Sequence, residues 1–154
     1  MTTTLQMAAG HPLTTKRLVI GHVAVCRGCC CGNTGRGKPA VPVEWLKKEW
    51  RERGLLKVIQ LTISGCLGPC DLFNVVTVST SSGTRWLGSI RHLEQYRALV
   101  DWAFQSRAVG TVVALPDMFT ECQFDPFRTA LVGHGRSAWK AGDVTSDQGD
   151  AGSL

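Results

Sequence analysis

The sequence predicts a small α/β domain, a β-α-β unit followed by a β-β-α unit around a central mixed sheet, with a C-terminal extension. Three observations carry that prediction. Two apolar, β-branched runs, at 18–25 and 55–64, flank a stretch whose apolar residues recur at helical spacing. A pair of short strand-like runs follows, joined by the turn Ser81-Ser82-Gly83-Thr84. A long segment with one apolar stripe then closes the order.

Taken in order, Leu18 to Val25 reads as a buried strand ending at Cys26. Cys26 to Pro42 carries Gly28, Gly32, Gly35 and Gly37 together with Pro39 and Pro42, so it is a long loop. Loops of that length without structure of their own are usually functional. Pro42 opens a helix, since proline suits a first helical position. Val43, Leu46 and Trp50 form its apolar stripe, and Gly54 is its C-cap. Leu55 to Ser64 is the second strand, and a right-handed parallel crossover is the default for such a unit. Gly65 ends that strand, and Cys66-Leu67-Gly68-Pro69-Cys70 follows. Asn74 to Thr80 is the third strand and Arg85 to Gly88 the fourth. Ser89 caps a final helix over Ile90 to Arg107, with Leu93, Tyr96, Leu99, Val100 and Phe104 as its stripe.

The chain has 154 residues, a length for one core rather than two. Residues 1–16 are polar and aperiodic and are expected to be a flexible arm. The domain proper spans 17–107. Residues 108–132, with Leu115, Pro116, Phe119, Phe124, Pro126 and Phe127, are expected to pack back on it. The Gly-, Ser- and Asp-rich stretch 133–154 is expected to be disordered. No apolar run reaches the roughly 18–20 residues of a membrane-spanning helix, and no secretory signal is visible. A cytoplasmic protein with no membrane partner is the expectation.

The formal net charge is +5. Residues 27–53 hold seven basic against three acidic side chains. The glutamates interrupt them too often for a nucleic-acid stripe, so the patch reads as a solvated face and no nucleic-acid partner is expected. Trp50 and Trp86 read as core, and Trp45, off the helical stripe, as an exposed contact.

The chain has seven cysteines, an odd number and a poor disulfide framework in a reducing compartment. Six fall in two groups: Cys26, Cys29, Cys30 and Cys31, then Cys66 and Cys70. Cys26 ends the first strand and Cys66 follows the second, so parallel neighbours would bring both loops to one edge of the sheet. The spacing is Cys26-x4-Cys31, then 34 residues, then Cys66-x3-Cys70. Four thiolates, two per iron, suit a [2Fe–2S] cluster. Adjacent side chains diverge, so the triplet Cys29-Cys30-Cys31 does not bind one cluster as a whole. Cys31 is preferred, with Cys30 and Cys29 left as alternatives. Gly28, Gly32, Gly65 and Gly68 would let backbone approach the sulfurs. Arg27, Arg36 and Lys38 would supply a positive field, and Leu67 and Pro69 would shield one side.

Two rival readings stay open. A zinc-binding structural module also uses four cysteines, though usually in Cys-x2-Cys knuckles. A dithiol–disulfide oxidoreductase would use Cys26-Arg27-Gly28-Cys29, but such motifs normally open a helix, and here glycines and Pro39 intervene. Cys122 is expected to be a buried free thiol. His22 and His92 lie outside the cysteine loops and are not expected to be ligands. No Gly-x4-Gly-Lys-[Ser/Thr] loop, paired carboxylates or Ser/His/Asp arrangement is visible, so an enzyme is not expected.

The pattern Cys26-x4-Cys31 … Gly65-Cys66-Leu67-Gly68-Pro69-Cys70 resembles the thioredoxin-like [2Fe–2S] ferredoxins, which share their domain with a small subunit of respiratory complex I. The resemblance covers about residues 17–107. It implies a thioredoxin-like fold, a [2Fe–2S] cofactor on Cys26, Cys31, Cys66 and Cys70, and one-electron transfer between a redox donor and a redox acceptor. It also admits a homodimer. A narrower likeness lies in Cys29-Cys30-Cys31-Gly32-Asn33, the Gly37-Lys38-Pro39 turn, Pro42 to Leu46 and the Leu-Pro of the extension. These are similar to a bacterial ferredoxin-domain group linked to cobalamin biosynthesis, which implies electron supply to corrin or cobalt metabolism. The Arg27, Arg36 and Lys38 rim is the expected docking surface, for acidic partners.

Overall fold

The computed structural model describes residue 13 and residues 15–128. The 133–154 tail, most of the 1–16 arm and the end of the extension lie outside the described residues. The elements are β1 (Gly21–Cys26), α1 (Val43–Glu52), β2 (Ile59–Ser64), β3 (Val76–Thr80), β4 (Gly83–Leu87), α2 (Leu93–Val109) and β5 (Gln123–Phe124). One five-stranded sheet runs β2-β1-β3-β4-β5. β1 pairs parallel with β2 and antiparallel with β3, β3 antiparallel with β4, and β4 antiparallel with β5. The domain is therefore α/β with a mixed sheet, in the β-α-β then β-β-α order of a thioredoxin-like fold.

Strand alternation explains the layers. Val23 pairs with Val78 and Val25 with Val76, so four β-branched side chains line one face. Leu46 and Trp50 of α1, with Tyr96, Leu99, Val100, Trp102 and Ala103 of α2, close that face into one core. The alternate positions are polar: His22 Nε2 lies 2.7 Å from Thr62 Oγ1, and Ser79 Oγ 2.9 Å from Thr84 Oγ1. Both buried tryptophans find acceptors, Trp50 Nε1 donating to Ile59 O and Trp102 Nε1 to Val113 O, each at 2.7 Å.

Several boundaries differ from the sequence expectation, each for a local reason. β1 starts at Gly21 because its β2 partner starts at Ile59; Leu18, beyond the ladder, is 81% exposed. Leu55–Lys57 forms a tight helical turn after Gly54, which sits at φ 62 just past the end of α1, so β2 begins later than Leu55. Pro42 flanks α1 rather than opening it. Asn74 has φ 52 and cannot belong to a strand, so β3 begins at Val76. Ser89, at φ 54, donates its N–H to Leu72 O and Phe73 O and caps nothing. α2 starts instead after His92, where Gln95 Oε1 accepts from the Arg91 and His92 backbone N–H groups at 2.8 and 2.9 Å. Leu93 and Phe104 are 38% and 43% exposed, and Trp102 takes the inward position.

Asp117–Cys122 turns over the buried Phe119, and β5 adds to the edge of β4. Trp45 is half-buried against the main core rather than an exposed contact. Trp86 lies outside that core and stacks edge-on against Phe124 and Phe127. Among the described residues, no helix is long and apolar enough to cross a membrane.

Candidate metal centre

The register Cys26↔Ser64 sets the C-terminal ends of β1 and β2 side by side. Cys26 is pinned there from both neighbours. Its N–H donates to Val75 O at 2.9 Å, and the Arg27 N–H donates to Ser64 O at 3.0 Å. The first cysteine loop then turns back on itself, with Gly28 N–H donating to Cys31 O at 3.1 Å. A Cβ at Gly28 would lie 3.5 Å from the Cys66 backbone nitrogen, so the two loops touch at that point. The turn brings Cys31 in beside Cys26; the two are 3% and 2% exposed. Cys29 is left exposed and Cys30 half-buried.

Asn74 holds this turn. Its Oδ1 accepts from Gly32 N–H at 2.6 Å, and its Nδ2 donates to Pro39 O at 2.8 Å and Ile90 O at 2.9 Å. One buried side chain thus ties both ends of the first loop to the approach of α2.

The second loop is built around Gly68, whose φ of 114 is open to glycine alone at little cost. From there Gly68 N–H reaches Cys66 Sγ at 3.3 Å, and Cys70 N–H returns to Gly68 O at 2.8 Å. The Cys66 and Cys70 sulfurs lie 3.2 Å apart. Cys29 Sγ lies 4.0 Å from Cys70 Sγ, and the sulfurs of Cys29, Cys30 and Cys70 are all within 4.8 Å of one another, an arrangement able to hold a metal ion. All seven thiols are free.

The six loop thiols therefore form two layers, Cys26 and Cys31 inside, and Cys29, Cys30, Cys66 and Cys70 on the rim. Their protonation differs accordingly. Burial, and then a hydrogen bond with Cys31, push the Cys26 thiol up to about 12. Cys70 is also pushed up to about 12, because it keeps its proton to donate to Cys66 and Cys29. Cys66, which accepts from Cys70 and from Gly68 N–H, is lowered. Within the rim pair Cys66 is thus the more readily ionised.

The donor set fits a [2Fe–2S] cluster. Four thiols come from the first loop and two from the second, enough for two thiolates on each of two irons. Leu67, Leu72, Trp86 and Phe124 pack against Cys26, Cys31 and Val75, an apolar wall to which the extension contributes. Tyr96 Oη is buried and has no hydrogen-bond partner among the described residues. Burial, and then the charge of Cys31 and Cys26, hold its phenol well above the usual range. A hydroxyl left in that state costs on the order of 1–3 kcal/mol. Tyr96→Phe is accordingly expected to raise the stability of the metal-free protein by about 1 kcal/mol in urea denaturation. A destabilised metal-free variant would count against an idle hydroxyl.

Cys122 is half-buried rather than buried, accepts from Gln95 Nε2 at 3.4 Å, and belongs to the extension, not the centre. Gly65 has open space where a Cβ would sit, so no close approach requires it. His22 is engaged in the sheet and His92 caps α2. Sequence reasoning did not find Asn74, Tyr96 or the Trp86–Phe124 wall. The one local signal was an asparagine between a loop and an apolar run, a residue type that tolerates positive φ.

No family model matches the sequence, and no curated protein matches it. Among solved structures, the chain is similar to the thioredoxin-like [2Fe–2S] ferredoxin from Aquifex aeolicus, at 19% identity and a TM-score of 0.37, over 62% of this chain and 93% of that one. A likeness at that level decides nothing about the centre, whose chemistry rests on its own residues.

Proposed function

We propose that the chain is a one-electron carrier whose redox group is a [2Fe–2S] cluster on Cys26 and Cys31 from the first loop and Cys66 and Cys70 from the second. The observation that carries this reading is the convergence of both cysteine loops at the ends of two adjacent parallel strands, one pair buried and one at the surface. When bound, the cluster supplies the one-electron chemistry. The chain's residues hold the inner thiols and exclude water with the apolar wall. They direct the Gly68 N–H at Cys66 and leave the rim pair within reach of a partner.

A carrier of this kind is not an enzyme but needs a donor and an acceptor, docked through small transient surfaces. Cations around the centre support acidic partners. Arg27 and Arg36 are exposed, and Lys38 and Arg91 lie 4.5 and 4.7 Å from the centroid of the Phe73 ring. Among the described residues none of these four makes an ion pair, whereas Lys47, Lys48 and Arg53 are matched by Glu44, Glu52 and Glu49. Unmatched charge favours encounter with a surface of opposite sign. The free thiols support a reducing, cytoplasmic setting. The resemblance of the Cys29-to-Asn33 and Gly37-to-Leu46 stretches supports electron supply to cobalamin metabolism as the finer assignment.

Anaerobic reconstitution of the full chain with iron and sulfide tests the carrier reading. Two irons and two acid-labile sulfides per chain are expected, with a red-brown colour and a paramagnetic signal on one-electron reduction. A chain that retains no sulfide would sink it. Deleting the gene in its host is expected to lower corrinoid yield; an unchanged yield removes the cobalamin assignment and leaves the carrier reading standing.

A further inference from the structure

We propose that the four rim thiols, Cys29, Cys30, Cys66 and Cys70, form a mononuclear tetrathiolate site for one thiophilic divalent cation, zinc or ferrous iron, when no sulfide is supplied. The site shares Cys66 and Cys70 with the cluster positions but replaces the inner pair by Cys29 and Cys30. It stands whether or not the inner pair completes a cluster.

The distances define three of the four ligands, and Cys66 joins them through Cys70. A tetrahedral site with metal–sulfur bonds of about 2.3 Å has sulfur–sulfur edges of about 3.8 Å. The rim shows 3.2 Å between Cys66 and Cys70, 4.0 Å between Cys29 and Cys70, and no more than 4.8 Å among Cys29, Cys30 and Cys70. The Cys29, Cys30 and Cys70 sulfurs thus supply one face of such a site, and Cys66, next to Cys70 but outside that group of three, completes it by side-chain rotation. Cys26 and Cys31 stand apart from that group: both are buried, and Cys26 Sγ donates to Gly65 O at 3.3 Å. A cation arriving from solvent therefore meets the rim first and need not open the core.

The chemistry balances simply. One divalent cation displaces four thiol protons to solvent and leaves a complex of net charge −2. Gly68 N–H already points at one of the sulfurs, and Arg27 lies beside the inner cysteine on the same loop, so the local field opposes that charge. Zinc has no geometric preference beyond the tetrahedron, and nothing in the rim demands a bridging atom.

Cobalt(II), added anaerobically to the metal-free full chain, is the probe. One cobalt per chain is expected, with tetrahedral d–d bands and the sulfur-to-cobalt absorption of four thiolates, displaced by zinc. The C26A/C31A variant, which leaves small apolar side chains inside, should bind cobalt with affinity little changed. The C29S/C30S variant, altered only toward solvent, should bind about tenfold or more weakly. Loss of binding in a folded C26A/C31A protein, or unchanged binding in C29S/C30S, would overturn the site. Should circular dichroism show C26A/C31A unfolded, C29S/C30S decides alone. Cluster reconstitution on the same variants should follow the opposite pattern, lost in C26A/C31A and kept in C29S/C30S. Failure of either reading is thus visible separately.

Discussion

Replacing Asn74 by alanine is expected to cost about 4 kcal/mol of stability and to free the first cysteine loop. The side chain is 1% exposed and makes three hydrogen bonds, to Gly32 N–H, Pro39 O and Ile90 O. Alanine leaves three polar groups without this partner, the Ile90 carbonyl buried and the Gly32 N–H and Pro39 carbonyl part-buried, each worth roughly 1–3 kcal/mol when no water replaces the bond. It also places a non-glycine, non-asparagine residue at φ 52, which adds strain. Asn74→Gly separates the two causes: it removes the same hydrogen bonds but not the freedom to adopt positive φ. Alanine should therefore fall below glycine by about 1 kcal/mol. Asn74→Asp keeps an acceptor for Gly32 but turns a carboxylate toward two carbonyl oxygens, which raises its folded-state pKa above the unfolded value. The folded protein then holds its proton longer, so that variant should be most stable in acid and lose stability as pH rises through the raised pKa. Urea denaturation of the metal-free proteins measures all three. A loss below about 1 kcal/mol in Asn74→Ala would show that solvent reaches these groups and that the staple is not what fixes the loop.

The same residue shows where sequence reading stops. The two cysteine loops were legible because their signals are local: β-branched runs, glycine and proline breaks, and helical spacing between two strands. Those alone bring Cys26 and Cys66 to one sheet edge, and the pairing of β1 with β2 is the expected one. Asn74 reads as the start of a strand because Val75 to Thr80 follows it, and its partners lie 42, 35 and 16 residues away. Ser89 has the right chemistry for a helix cap, but its backbone is committed to Leu72 and Phe73. Trp102 rather than Phe104 faces inward because the extension brings the Val113 carbonyl within reach of its indole. In each case a contact made across the fold overrides a correct local preference.

Within the triplet Cys29-Cys30-Cys31, alanine or serine at Cys31 is expected to reduce retained iron and sulfide about tenfold or more, while serine at Cys29 or Cys30 leaves them near the parent level. The turn closed by Gly28 N–H and Cys31 O separates the three neighbours in space. It sends Cys31 inward beside Cys26, leaves Cys29 exposed, and groups both Cys29 and Cys30 with Cys70. Serine at Cys31 also buries a hydroxyl among Val75, Leu67 and Leu72, which costs on the order of 1–3 kcal/mol by itself. Alanine avoids most of that cost. Comparing the two therefore separates loss of a ligand from loss of the fold: both should lose the cluster, and serine should be the less stable when metal-free. If C31A kept its iron and sulfide while C30S lost them, the second ligand of the first loop would belong to the rim. The buried Cys31 would then be a packing residue, and the cluster would sit further out, with three of its four thiolates exposed to solvent or nearly so.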